Sequence, residues 1–265
     1  MQIKVIYEIV GFAEALCSII SSVAGLGLGK GVASNKKRLL KKLLSTGACP
    51  RVYVSVPKFK SHILDKERDS AFWDELDLLL DINTLLAKAN IETTTMVDEL
   101  SIESDEIQIG GPVSNVFTNR YINRFFKEFQ WIVTEEHLER YMADDNLKKL
   151  NYSFINANAE VKEGFKIGDN FYEYVPGKKG WAIIAKIIDN AGIKPRTIHL
   201  LFGCGTNGTI GAVKYFKSSY PKIYRKNKQN PYIGIIEVDG HGGLVGNISW
   251  IDIEDILVSS SNKES

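Results

Sequence analysis

"TIHLLFGCGTNGTIGAVKYF", residues 197 to 216, decides the architecture. An apolar run of strand character ends at Gly203, the turn Cys204-Gly205-Thr206-Asn207-Gly208 follows, and a helical pattern runs from Thr209 to Arg225. A helix start exposes unpaired backbone N–H groups at the positive end of the helix dipole, and glycine lets that backbone come close to a phosphate or carboxylate. The same grammar occurs earlier in "IQIGGPVSNVFTNRYINRFF", residues 107 to 126. There Gly110 and Gly111 supply the turn, Pro112 stiffens it, and Ser114 or Asn115 is placed to cap the helix.

Outward from these turns the chain alternates strands and helices. "RVYVSVP", "IETTTMV", "IQIGG" and "QWIVTEE" read as strands, and they are interleaved with helices over Asp69 to Asn90 and over "NVFTNRYINRFFKEF". Phe72, Leu76, Leu79 and Leu86 are expected on the inner face of the first helix. Helices between strands imply a parallel sheet covered on its faces. After Asn151 the segments "YSFINAN", "NFYEYV", "WAIIAKII", "TIHLLFG" and "YIGIIEVDG" are strands with mostly turn-like connections, and "IIDNAGIKPRTIHLLF" reads as a hairpin. The expectation is an α/β protein with a Rossmann-like parallel or mixed sheet and helices on its faces, preceded by an N-terminal helical segment. Residues 1–50 form that segment and 51–265 the ligand-binding domain, with halves near 51–145 and 150–257.

The first fifty residues differ in charge from the rest. They carry seven Lys or Arg against Glu8 and Glu14, a net of +5 (7 − 2), which leaves −4 for the remainder of a chain whose total is +1. That total argues against nucleic-acid binding through the overall field. In "KKRLLKKLL", Leu39, Leu40, Leu43 and Leu44 share one helical face and Lys37, Arg38, Lys41 and Lys42 cover the other. Two readings stay open: a helix on an anionic membrane surface or a partner, involving residues 9–44, and a surface helix docked on its own core. The uncharged run Ala15 to Gly29 is shorter than the roughly 20 residues of a spanning helix. Cys17, Cys49 and Cys204 form neither a disulfide framework nor a zinc pattern, so a reducing cytoplasm is expected, with possible membrane association. No metal site is expected, because His62, His137, His199 and His241 show no ligand spacing. His199, between Ile198 and Leu200, reads as a core histidine.

Formal motifs add little. "AGLGLGKG" lacks the first glycine and the Ser or Thr of a P-loop. "GCGTNG" fits G-x-G-x-x-G from Gly203 to Gly208, but no acidic ribose partner stands about twenty residues on, where the chain reads Lys222 to Lys228. "IGGPVSN" followed by a helix, and later "GCGTNGTIGA", resembles Rossmannoid nucleotide-sensing or nucleotide-processing domains such as the SLOG-like group of prokaryotic immune effectors. The resemblance covers Arg51 to Glu136 and Thr197 to Lys217. It implies recognition of a nucleotide signal, with a role in antiviral defence, or cleavage of a nucleoside bond.

The expected ligand is a nucleotide or nucleotide-derived anion held by Gly110, Gly111, Ser114 and Asn115 at one turn and Gly203, Gly205, Thr206, Asn207, Gly208 and Thr209 at the other. Binding would be coupled to homo-oligomerisation or membrane association through the N-terminal segment. Candidate catalytic residues belong to an alternative, a nucleoside or dinucleotide hydrolase. Cys204 at a helix start is expected to have a lowered thiol pKa, with His241 and Asp239 as partners if the strand holding Glu237 lies beside the one ending at Gly203. Glu237 and Asp239 share a strand face and suit acid and base roles, or simply end a strand in water. A third reading leaves the glycines purely structural, in a non-catalytic structural or interaction protein.

Overall fold

The computed structural model describes residues 30–44, 51–56, 59–63, 66–70, 73–97, 104–112, 115–134, 153–155, 162–192 and 194–252. Its first strand, β1 (Arg51–Val56), leads through the hairpin β2 (Phe59–Ile63) and β3 (Lys66–Ser70) into helix α2 (Trp73–Lys88) and then β4 (Glu92–Val97). Strand β5 (Asp105–Ile109) and helix α3 (Val116–Phe125) follow. The chain next builds β6 (Phe129–Thr134), β7 (Ser153–Ile155), β8 (Gly164–Ile167) and β9 (Asn170–Glu173). It ends with β10 (Lys179–Asp189), β11 (Arg196–Gly203), helix α4 (Gly205–Asn227), β12 (Tyr232–Asp239) and β13 (Leu244–Ile251); helix α1 (Lys30–Leu44) precedes them all.

Seven strands form one mixed sheet in the order β13-β12-β10-β11-β5-β1-β4. The pairs β4/β1, β1/β5 and β5/β11 are parallel, whereas β11/β10, β10/β12 and β12/β13 are antiparallel. The second half of the chain therefore extends the sheet of the first, and β10 and β11 form the expected hairpin. Three expected strands are placed elsewhere: β6, β7 and β9 belong to a second, four-stranded sheet, β7-β6-β8-β9, where β6 leaves the parallel half to pair antiparallel with β8. Phe129 and Trp131 explain the departure, since they stack on Phe165 at 5.5 and 5.7 Å between ring centroids.

Alternation along the central strands divides the core in two. Ile184, Leu201, Ile107, Ile109, Ile236 and Val238 face one side, covered by α1, α2 and α4. Ile183, Ala185, Ile187, Ile198, Leu200 and Phe202 face the other, covered by α3 and the small sheet. In α2 the buried residues are Leu78, Ile82 and Leu86; Leu79 is half-buried and packs against the same cluster, as expected, and Leu76 is half-buried. The centre of the inner face is shifted toward Leu78 and Ile82, and Phe72 lies outside the described residues.

Helix α1 settles on its own core. Leu40, Leu43 and Leu44 are buried in the first cluster, and Lys36, Arg38, Lys41 and Lys42 stay exposed. Each buried leucine contributes roughly 1.5–3 kcal/mol to holding the helix there. The apolar face that a membrane surface would need is occupied in this arrangement. Residues 9–29 of the membrane expectation lie outside the described residues, and among the described residues no helix is long and apolar enough to cross a membrane.

Beneath α3 lies a buried polar network. Arg196 donates to Glu106 at 2.8 Å and to Asp189 at 2.9 and 3.1 Å, and Tyr121 donates its hydroxyl to Glu106 at 2.7 Å. Gln108 continues the network from Glu106 at 3.1 Å to the start of α3, where Asn115 donates to it at 3.4 Å.

Candidate functional site

Parallel strands deliver their ends to one rim. The Gly110 turn follows β5 and the Gly203 turn follows β11, its neighbour, so both open on the carboxyl edge of the sheet. They touch: a Cβ added to Gly111 would stand 3.3 Å from the Gly203 carbonyl oxygen. Strand β10 is antiparallel to both β11 and β12, so β12 runs in the direction of β11 and brings the Asp239–Gly243 turn to the same rim. The side chain of Asn207 donates to the Gly240 carbonyl and ties this third turn to the start of α4. The order in which successive strands are laid down reverses at β1, with β4 on one side of it and β5 on the other, and ligands of open α/β sheets settle at such switch points.

The two helix starts differ. At α3 two of the first amides are already used: Asn115, with its side chain buried, accepts from the N–H groups of Phe117 and Thr118 at 3.0 Å each. Asn115 also donates to the Ile109 carbonyl at 2.9 Å, and the Gly110 N–H donates to Leu201 at 3.1 Å. Gly110 has φ +113, a conformation that favours glycine. Among the described residues, the N–H groups of Gly110, Phe117 and Thr118 are thus engaged within the protein. Ser114 lies outside the described residues.

At α4 no side chain caps the helix, because the N-cap position is Cys204 and its thiol makes no capping hydrogen bond. Thr206 is exposed, Gly205 and Asn207 are half-buried, and Gly208 and Thr209 are buried. Gly205, at φ +63, faces the Tyr174 hydroxyl, which an added Cβ would meet at 2.6 Å. Gly203 and Gly208 press backbone to backbone: a Cβ on Gly203 would lie 2.6 Å from the Gly208 Cα.

The expected nucleophile behaves otherwise. Cys204 is buried, and burial together with the nearby Glu163 carboxylate raises its thiol pKa well above the ordinary value. Its N–H donates to Trp181 at 3.0 Å. The strand condition for a Cys204, His241 and Asp239 arrangement also fails, since β10 separates β12 from β11. The Asp239 carboxylate accepts from the backbone N–H groups of His241 and Gly243 at 2.8 and 2.7 Å, which holds its pKa below the usual value and shapes the turn. Glu237 pairs with Lys179 at 3.3 Å, and Lys179 also lies over the Trp181 ring. His199 is fully buried, as its place in the strand implies. Among the described residues no group of three or more His, Cys, Asp or Glu is placed to hold a metal.

Sequence reasoning missed Glu163 and Tyr174. Both come from the β8–β9 hairpin of the second sheet, and no periodicity or motif connects them to Cys204 or Gly205 along the chain. Glu163 accepts from the Thr134 N–H and hydroxyl at 2.9 and 2.7 Å. Compared with protein families, curated proteins and solved structures, the chain matches none of them.

Proposed function

We propose that the carboxyl rim binds a nucleotide or nucleotide-derived anion in a Rossmann-like manner, with its charge at the N-terminus of α4. The observation that carries this reading is the uncapped start of α4 at a rim where the neighbouring helix start is capped by Asn115. Gly110, Gly111 and the Gly240 turn then act as walls of the crevice rather than as donors. Helix α1 packs on α4, so a ligand held by α4 acts on the element that seats the N-terminal segment. Through that contact it biases homo-oligomerisation or release of the segment toward a membrane, the output expected of an immune-type effector. A near-complete switch requires the ligand to prefer one arrangement by about 5.5 kcal/mol.

Thermal unfolding against nucleotides, cyclic oligonucleotides and NAD derivatives tests the proposal. A binder at a hundred times its Kd adds about 2.7 kcal/mol of stability. Thr206→Asp is the informative variant: the exposed carboxylate favours the helix dipole by about 0.3–1 kcal/mol yet repels an anion. The expected result is a slightly more stable protein that no longer responds to the ligand. Turnover of a responding compound, followed by chromatography, would favour the hydrolase reading.

The close backbone contact of Gly203 with Gly208 favours a second reading in which the glycines serve packing alone. No response across the panel, with Thr206→Asp merely stabilised, would leave that reading in place.

A further inference from the structure

Lys186 stands in the middle of the sheet, fully buried, and its Nζ has no hydrogen-bond partner among the described residues. Thr197, also fully buried, has an Oγ1 in the same condition. The two are diagonal neighbours on β10 and β11: Lys186 is opposite His199, Ile188 is opposite Thr197, and both side chains point to the face covered by α1 and α4. Diagonal positions lie roughly 7–8 Å apart, within reach of a long side chain. Asp105 is on the same face of β5, and its Oδ1 accepts the Thr197 N–H at 2.7 Å. A carboxylate retains further acceptor sites after that bond. Burial lowers the Lys186 pKa, the Asp105 charge opposes that shift in part, and the net result is about 8.

The other groups facing Lys186 are spoken for. His199 Nε2 bonds the Leu43 carbonyl at the end of α1 at 3.1 Å, and its Nδ1 is 3.4 Å from the Tyr232 hydroxyl. Burial, and then the Lys186 charge, lower the His199 pKa to about 3, so this ring is neutral. Helix α4 contributes Phe216 over the imidazole, and the Lys41 and Lys42 side chains of α1 point to solvent.

A buried ammonium and hydroxyl left without partners cost several kcal/mol, whereas an internal water satisfies about three such groups at once. We propose that one water molecule is held between Lys186 Nζ, Thr197 Oγ1 and the Asp105 carboxylate, making a solvent-bridged ion pair beneath α1 and α4. The water accepts from the ammonium, donates to the carboxylate and shares a hydrogen bond with the hydroxyl. A halide is a poorer occupant, because Asp105 already contributes a negative charge.

The test follows the Lys186 titration by NMR of its side chain in the full-length protein. Thr197→Val keeps the shape and removes one leg of the bridge; the expected result is at least a threefold fall in the proton affinity of Lys186. Asp105→Asn preserves an oxygen for the Thr197 N–H and removes the charge, and a tenfold or larger fall is expected. An unmoved midpoint in Thr197→Val would reduce the pair to through-space attraction and overturn the bridge. A wild-type midpoint that moves when chloride is exchanged for bromide or sulfate at constant ionic strength would make an anion the occupant, and would overturn it as well. Should Thr197→Val fail to fold, cross-relaxation in the wild-type protein replaces it: magnetisation transfer between a long-lived internal water and the Lys186 side-chain protons supports the bridge, and its absence overturns it.

Discussion

Arg196→Met is expected to lower stability by about 3–5 kcal/mol, the cost of leaving buried charges without their partner. Arg196 is the hub of the network under α3: one guanidinium serves Glu106 and Asp189 and also donates to the Tyr121 hydroxyl at 3.2 Å. Glu106 is 1 % exposed and Asp189 2 %. Once Arg196 is gone, Glu106 keeps only the neutral donors Tyr121 and Gln108 among these bonds, and Asp189 keeps Arg124 and the Ala191 N–H. Arg196→Lys should recover little, because an ammonium cannot reproduce the planar fork that spans two carboxylates. Arg124→Met is the contrasting case. Its side chain is half exposed and has one acid partner, so a loss of no more than about 1 kcal/mol is expected. Chemical denaturation of the three variants measures the ordering, and equal losses for Arg196→Met and Arg124→Met would show that the network is not centred on Arg196.

The same network fixes an acid limb. Burial alone would raise the Asp189 pKa, but the Ala191 N–H, Arg196 and Arg124 outweigh it and the net direction is down. The folded state therefore binds fewer protons than the unfolded one near the ordinary carboxylate pKa. The stability this provides is complete above the unfolded value of about 3.9 and is lost as pH falls through the lower folded value. In Arg196→Met this part of the acid limb should flatten, which unfolding midpoints between neutral and strongly acidic pH would register.

How far the chain could be read in advance depends on where the relevant contacts lie. The β10–β11 hairpin was legible because Asn190, Gly192 and Pro195 interrupt two apolar runs locally, and α4 was legible because strand, glycine turn and helix are contiguous in sequence. The departure of β6 was not legible: Phe129 and Trp131 suit a strand in either sheet, and their choice is made by Phe165, more than thirty residues later in the chain. Cys204 shows the same limit at the site. Its place before a helix pointed to an activated thiol, but burial and Glu163, brought in by the second sheet, reverse the shift. Asn115 was readable as a cap. That its side chain would also be held by Gln108 and the Ile109 carbonyl, and the Gly110 N–H by Leu201, depended on contacts outside the turn.

Gly203→Ala should be among the most damaging single methyl additions in this protein, with a loss of about 3 kcal/mol or more, at the upper end of overpacking costs. The new Cβ would lie 2.2 Å from the Trp181 carbonyl oxygen and 2.6 Å from the Gly208 Cα, both backbone atoms held by β10 and α4. No rotamer change relieves such a clash, so either the helix start lifts from the strand or β10 shifts. Gly208→Ala meets the same pair from the helix side, 2.5 Å from the Trp181 oxygen and 2.9 Å from the Gly203 Cα. Because either alanine forces the same two backbones apart, the double variant should cost clearly less than the sum of the singles. Gly177→Ala separates packing from backbone strain: at φ +71 with nothing within 4 Å of an added Cβ, it should lose only about 1–2 kcal/mol. A loss in Gly203→Ala no larger than in Gly177→Ala would mean that α4 does not rest on the end of β11 this closely. The crevice proposed at its first turn would then have a different floor.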